Sequence, residues 1–524
     1  MIGRPTGRLS NLPASRIDRV RSPFRLAALT ALAFLAVAGA ANGQIAQAEY
    51  AQRRAALAAK LQDGVLLAIG SREPVQDYLT FFQNESFTYL TGYNEPNAAL
   101  VMVKRGAQTS AMLFVEARDP GAEVWTGKRF GPEGATKATG IEARPVERLR
   151  PVLDSLLASG GQLYVVGDVR AGGAGGANEA RVLSPDDQFV RGLLATRPTV
   201  KLASANQYVS VLRGTKSPAE LDLIRKAVTI TAEAQRDAMR AIEPGMNEFE
   251  IQSLIEYTFR RSGADRPSFS TIVGSGPNST TLHYNADDRF MNDGEVVVMD
   301  IGASYRGYAA DVTRTVPVSG TFTPDQRAIY QIVRDAQAAA ERQAKLDAKA
   351  QIMSDSATAT IAAGLARVGL IESVNATYDC GNPQRPQQCA QVELYYMHGL
   401  GHGIGLEVHD PEQFFFTGTI AAGSAFTIEP GIYVRENLLE ILPKTARNDA
   451  LIAKIRPAVE KFRNVGIRIE DDYVVTPEGV EWISRAPREI AEVEAMMKET
   501  LAGGVKRDTT KVDWYRRTAG PQVP

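Results

Sequence analysis

Val296-Val-Val-Met-Asp300-Ile-Gly-Ala-Ser-Tyr305-Arg306-Gly307-Tyr-Ala-Ala-Asp311-Val-Thr-Arg-Thr315 is the stretch on which the fold turns. Apolar and β-branched runs on either side of a short polar centre predict an antiparallel hairpin. With the turn placed at Tyr305-Arg306, Asp300 faces Asp311. Facing residues hold their Cβ atoms about 4.5–5.5 Å apart, and like charges there repel. Two acids on an exposed hairpin face would be harmless, but four apolar residues run directly into Asp300 and argue for burial. Buried carboxylates without a partner are costly, so the pair calls for a cation.

The same pattern, an acid closing an apolar strand, recurs twice. Phe426-Thr-Ile-Glu429-Pro-Gly-Ile-Tyr433 stops at Pro-Gly, and Gly466-Ile-Arg468-Ile-Glu470-Asp-Asp places Glu470 at another strand end. The chain has only four histidines: His283 stands alone, and three fall in His398-Gly-Leu-Gly-His402-Gly-Ile-Gly-Leu-Glu-Val-His409-Asp. Histidines four apart could share a helix face as metal ligands. Gly399, Gly401, Gly403 and Gly405 argue instead for an extended or looped segment whose backbone approaches a bound group. Asp300, Asp311, Glu429 and Glu470 carry −4 together, which two divalent cations neutralise, with one neutral histidine completing the shell. So oxygen-rich a donor set suits Mn²⁺ or another hard to borderline ion, and is unlike a thiolate zinc site. Two such metals can share a hydroxide nucleophile and polarise a carbonyl. Gly274-Ser-Gly276 is too short and generic for a phosphate loop.

Outward from this centre, Ser217-Pro-Ala-Glu220 has the capping-box form, with proline at the first helical position, and opens a helix to about Ala241. A second helix is expected over 247–262, strands near 271, 296–301 and 309–316, helices over 325–345 and 354–368, and strands over 425–434 and 466–475. Helix pairs alternating with antiparallel strand pairs, once on each side of residue 350, suggest an α+β domain of two similar halves over 206–502. Residues 44–205 hold β-branched runs at Gly64, Ala99 and Leu163 with helical stretches between, as at 152–158, and read as a first α/β domain with a Gly/Ala-rich loop at 171–177. Residues 503–524 read as a polar, solvated tail.

A length of 524 residues, 44 % hydrophobic, supports two or three folded domains and excludes disorder. Lys+Arg (59) and Asp+Glu (60) nearly cancel, which gives no reason to expect nucleic acid as partner. Residues 1–43 nonetheless carry +5 and run into an apolar stretch, Leu26 to Ala41, ending in small residues. This has the form of a secretory signal peptide cut near Gly43, and predicts a secreted or periplasmic protein with no stable membrane span; a retained anchor is the alternative. Export makes a disulfide between Cys380 and Cys389, the only two cysteines, the preferred reading over two unpaired thiols.

The ordered set Asp300, Asp311, His402, Glu429 and Glu470 stands in distinctive frames: Asp-x-Gly, Gly-Tyr-x-x-Asp-x-Thr-Arg-Thr, His-Gly-Leu-Gly-His-x-x-Gly-Leu-x-Val-His-Asp, Glu-Pro-Gly-x-Tyr and Arg-Ile-Glu-Asp-Asp. Over roughly residues 60–500 the chain resembles the pita-bread metallopeptidases of the Xaa-Pro aminopeptidase (aminopeptidase P) and prolidase family. The resemblance implies an α+β pita-bread catalytic domain and two metal ions, usually manganese. Asp311 and Glu470 would bridge them, Asp300 would serve one, and His402 with Glu429 the other. It implies further that His283 and His398 line the substrate site, that His409 supports the scissile carbonyl, and that Glu429 moves a proton from a bridging hydroxide or water to the leaving proline nitrogen. Arg468 and Tyr433 would stand behind the ligands. Tyr89-Leu-Thr-Gly-Tyr-Asn-Glu-Pro96 and Trp125-Thr-Gly-Lys-Arg-Phe-Gly resemble the domain that restricts the cleft and, in some relatives, reaches a neighbouring subunit, so a homo-oligomer, dimer or tetramer, is expected.

Asn84-Glu85-Ser86-Phe87 departs from the family's Asn-Ser-Asp-Phe, displacing by one residue an acid expected to meet an arginine near the metals. The Cys380 to Cys389 loop is also unusual and could wall the substrate entrance. The reading that follows is an exported dinuclear aminopeptidase acting on peptides with proline second. The alternatives are an Xaa-Pro dipeptidase sharing all five ligands and, more remotely, a non-catalytic binding protein on the same fold; methionine aminopeptidases usually lack a domain like residues 44–205.

Overall fold

A computed structural model describes residues 45–76, 78–169, 183–382, 384–501, 507 and 509–518. The leader and the 171–177 loop lie outside the described residues. The β-branched runs of the first part form a six-stranded mixed sheet in the order β4-β3-β2-β1-β5-β6: β1 Gly64–Ile69, β2 Ala99–Arg105, β3 Gln108–Val115, β4 Glu142–Pro145, β5 Gly161–Val166 and β6 Val200–Ser204. Side chains alternate across a strand, so β1 serves two cores. Val65 and Leu67 pack beneath the helices Leu149–Leu156 and Pro185–Ala195. Leu66 and Ala68 join a cluster that continues through Val209, Ile224, Tyr308, Val312 and Ile404, so apolar packing runs on past residue 205.

The helix Pro218–Ala241 starts as its capping box requires: the Ser217 hydroxyl accepts from the Glu220 amide at 3.2 Å, and Glu220 accepts from the Ser217 amide at 2.9 Å. Midway along it, the Gln235 amide donates to the carbonyls of Met299 (3.0 Å) and Val312 (2.7 Å), pinning the helix to the central hairpin. That hairpin comprises β9 Val296–Ile301, β10 Ala303–Tyr305, β11 Tyr308–Ala309 and β12 Val312–Pro317, with β7 Arg266–Pro267 and β8 Ile272–Ser275 at its edges.

The register corrects the expected facing of Asp300 and Asp311. The turn is Arg306-Gly307, with φ of 52° and 83°, and Tyr305 pairs with Tyr308, so Asp300 faces Thr313. Tight two-residue hairpins require positive φ at both central positions, which the Arg-Gly pair accepts more readily than Tyr-Arg. The slip of two residues preserves the face, leaving Asp311 as the diagonal neighbour of Asp300. Between them the strands touch backbone to backbone: a Cβ on Gly302 would lie 1.9 Å from the Ala310 carbonyl oxygen. Gly302→Ala is expected to destabilise by about 3 kcal/mol, the upper end for overpacking, as a lower denaturant midpoint, because backbone and not a flexible side chain must give way.

Helices Pro324–Gln343 and Gln351–Arg367 follow, then β13 Thr377–Asp379 and β14 Gln388–Ala390, which bring Cys380 and Cys389 into a disulfide. The second strand set pairs β15 Ala425–Ile428 with β18 Asp471–Thr476 and β16 Gly431–Val434 with β17 Val465–Arg468, while β19 Gly479–Trp482 flanks β18. Each half thus carries a helix pair and antiparallel strands, the expected alternation. The tail is not wholly solvated: a helix Thr509–Thr518 sets Tyr515 edge-on to Phe249 at 4.8 Å, and Arg507 pairs with Glu250 (2.9 Å) and Glu243 (2.7 Å). The acids beside the 248–261 helix give the basic tail a counter-charge that composition alone did not reveal. Among the described residues no helix is long and apolar enough to cross a membrane.

Candidate metal centre

The acids lie where strands end or break. Asp300 is the penultimate residue of β9, Asp311 precedes β12, Glu429 follows β15 and is stopped by Pro430, and Glu470 lies between β17 and β18. His402 arrives on the glycine-rich segment, which runs extended along β15: the Thr427 amide donates to the His402 carbonyl and the Glu429 amide to that of Leu400, both at 2.8 Å. A Cβ on Gly401 would lie 2.1 Å from the Thr427 oxygen, the close approach expected of that segment.

His402 Nε2 stands 3.4 Å from Asp311 Oδ2, 3.4 Å from Glu429 Oε1 and 3.7 Å from Glu470 Oε1. Its Nδ1 contacts the Gly403 carbonyl at 3.2 Å, a contact that requires the proton on Nδ1 because a carbonyl only accepts. The Nε2 lone pair therefore points at the acids, the tautomer a metal ligand needs. Burial, then the neighbouring His409, lowers the His402 pKa to about 4 and keeps the ring neutral.

Burial first, and then their mutual repulsion, holds Asp311 and Glu429 well above the usual carboxylate range and raises Glu470 to about 8. Asp300 is shifted down: burial opposes this, but the Arg468 guanidinium at 2.6 Å and hydrogen bonding by Asp311 and Thr313 together outweigh it. Asp300 Oδ1, Asp311 Oδ1 and Glu470 Oε1 are buried without any hydrogen-bond partner. Unsatisfied buried acceptors on acids that repel one another are a poor arrangement for stability alone. Divalent cations would satisfy all three, so the residues present fit the metal pair implied by the motif.

The expected site residues other than Tyr433 and the two cysteines lie together. All four histidines, the four acids and Arg468 line one cavity of about 470 Å³. Tyr433 stands behind it: Arg468 donates to the Tyr433 oxygen (2.9 Å), and that hydroxyl donates to His398 Nε2 (2.9 Å), whose Nδ1 donates to the Gly399 carbonyl (2.8 Å). Burial, reinforced by Arg468, lowers His398 to about 4; His409 is also lowered, by burial and then by His283. Among the described residues, the disulfide loop contributes nothing to the lining.

Sequence reasoning gave no role to Asp472, whose Oδ2 accepts the Asp311 amide at 3.1 Å, or to Thr313, whose hydroxyl donates to Glu470 Oε2 at 2.7 Å. Both lie inside the quoted motifs, two positions from a candidate ligand. The 84–87 departure also resolves: Arg213 donates to the Ser86 hydroxyl at 3.1 Å and is ion-paired with Glu407 and with Asp410, so it braces the segment ending at His409.

Two strand sets backed by helix pairs around a buried quartet of acids and one neutral histidine define a pita-bread metallopeptidase. Residues 222–477 match the model of metallopeptidase family M24, and residues 50–164 match that of the aminopeptidase P N-terminal domain. The chain is 33 % identical to the Xaa-Pro aminopeptidase of Haemophilus influenzae over 86 % of its own length and 97 % of that relative, and 32 % identical to that of Escherichia coli over 87 % and 98 %. The structure superposes on E. coli aminopeptidase P with the inhibitor Pro-Leu at a TM-score of 0.69 and 30 % identity, covering 87 % of this chain and 99 % of that one. The chain belongs to metallopeptidase family M24, as an aminopeptidase P-like member.

Proposed function

We propose that this protein is an exported Xaa-Pro aminopeptidase that hydrolyses the bond between the N-terminal residue and a following proline, using two divalent metal ions, Mn²⁺ foremost. The observation that carries the metal pair is the set of three partnerless buried carboxylate oxygens converging with the His402 lone pair. Asp311 and Glu470, central in the cluster, would be shared between the ions; Asp300 would complete one site, and His402 with Glu429 the other. When bound, such a pair lowers the pKa of a water and polarises the scissile carbonyl.

The protein's own groups do the rest. Glu429, raised by burial and by Glu470, is suited to take a proton from the attacking water and release it to the proline nitrogen. An amide anion is a poor leaving group, so the proline nitrogen departs only as it is protonated. His409, held neutral, donates to the oxygen of the carbonyl as charge develops. His398 is fixed by Tyr433 and Arg468, and with His283 it borders the bound peptide.

Export rests on the basic and apolar leader and on the disulfide, which persists in oxidising compartments. Fractionation with N-terminal sequencing should find a mature chain starting near residue 44 outside the cytoplasm. Assembly into dimers or tetramers is part of the same proposal, and sedimentation should show it. The metal-loaded protein is expected to release the first residue of Xaa-Pro-Yaa tripeptides, with two ions per chain by elemental analysis. Cleavage of Xaa-Pro dipeptides alone would establish the dipeptidase reading, which a 29 % identity to human Xaa-Pro dipeptidase keeps in view. Cleavage of neither would overturn both.

A further inference from the structure

Beside the catalytic cavity lies a second one of about 220 Å³, and the two share Val408 and His409 in their linings. Three charged groups besides His409 border it: Glu85, Glu407 and Arg266. Glu407 is engaged by Arg213 at 2.6 Å. Burial pushes Glu85 above the usual carboxylate range, although Arg213 and Arg266 pull the other way. Arg266 differs from both. It is half-buried, its backbone is held on β7 against Ser304, and its guanidinium lies 3.7 Å from the centroid of the Phe82 ring. Among the described residues its side chain makes neither a hydrogen bond nor an ion pair.

A guanidinium fixed by stacking, with its donors free and facing a cavity, is prepared for a planar anion. The other cations of this region are already held, Arg468 by Asp300 and Tyr433 and Arg213 by Glu407 and Asp410. A short peptide has opposite charges at its ends. With the scissile bond at the metal-binding acids, the first residue takes one side and the Pro-Yaa remainder, with its carboxylate, extends away from them; the cavity of Arg266 adjoins the catalytic one at Val408 and His409.

We propose that Arg266 is a specificity-determining residue that receives the C-terminal carboxylate of a short peptide, Xaa-Pro-Yaa, whose scissile bond lies in the catalytic cavity. The proposal deepens the Xaa-Pro aminopeptidase reading and rests on it. Phe82 keeps the guanidinium in place, and one peptide would span both cavities where their linings meet at Val408 and His409.

The test compares an Xaa-Pro-Leu tripeptide with its C-terminal amide on the metal-loaded protein. Amidation is expected to lower kcat/KM about tenfold or more, mainly through KM, the scale of a lost charge-assisted hydrogen bond. Arg266→Gln should bring the acid down to the level of the amide and leave the amide unchanged, and Arg266→Lys should restore part of the difference. Equal cleavage of acid and amide by the unaltered protein, or equal slowing of both by Arg266→Gln, would overturn the assignment. Calorimetry with Pro-Leu and Pro-Leu amide reads the same site without turnover. Tighter binding of the free acid, lost in Arg266→Gln, supports the proposal even if no Xaa-Pro peptide is cut and the functional reading fails; equal binding rejects it.

Discussion

Glu429→Ala is expected to lower kcat/KM by about a thousandfold or more, since it removes both a ligand oxygen and the group that moves the proton, while the metal-free protein becomes no less stable. The second half of that expectation follows from the electrostatics. Glu429 is crowded by Glu470 and Asp300, and all three of Asp311, Glu429 and Glu470 are held above the ordinary carboxylate range. Deleting one negative charge relieves the other two. The pH dependence has a definite sign. Glu470, raised from 4.5 to about 8, favours folding while protonated, and that contribution is lost as pH rises through the folded value. His402 and His398, lowered from 6.5 to about 4, act in the opposite sense only below 6.5. Between pH 6.5 and 8 the raised carboxylates decide, so the metal-free protein should melt lower as pH rises, and Mn²⁺ loading should weaken the slope, leaving the part that comes from acids outside the ligand set such as Asp287. Retained turnover in Glu429→Ala would show the proton carrier to be elsewhere.

Local chemistry made much of the catalytic fold legible. The Ser217-Pro-Ala-Glu220 box forms the cap it spells, and the helix ends at Ala241. The hairpin register was less accessible. A slip of two residues keeps every side chain on its face, so the hydrophobic pattern is blind to it, and only the Arg306-Gly307 turn conformation decides. The docked tail was hidden for another reason: the Arg507 ion pairs and the Tyr515 contact link positions more than 250 apart, beyond any local pattern.

The candidate ligands could be picked out because each acid sits at a strand end or break, and His402 on a glycine-punctuated segment, with a recognisable frame. The groups that hold those ligands could not. Arg213 acts on Asp410 across 197 positions, and Ser86 meets it from the first domain at 3.1 Å. A motif records what lies next to a ligand in the chain; Arg266 and Phe82 are neighbours only once the strands are assembled.

Arg314→Met is expected to cost about 3–5 kcal/mol of stability, the range for breaking a buried ion pair by removing one partner. Arg314 is fully buried. It donates to Asp471 Oδ1 at 2.6 Å and to the carbonyls of Glu470 (2.6 Å), Pro487 (2.7 Å), Thr313 (2.8 Å) and Ala486 (3.0 Å). Methionine fills the stem volume but leaves three buried carbonyls and the half-buried one of Pro487 short of a donor, and Asp471 with Arg488 as its remaining cation. The Asp471 pKa lies below 3.8 because Arg314, then Arg488, outweighs the opposing burial. A depressed carboxylate contributes stability above its unfolded value and loses it as pH falls. The gap between native and variant unfolding free energies should therefore narrow below pH 3.8. Because the Glu470 carbonyl hangs from the same guanidinium, Mn²⁺ affinity should fall together with stability. A gap that stayed constant down to about pH 2 would assign the loss to packing and leave the ion pair without a role in holding Glu470.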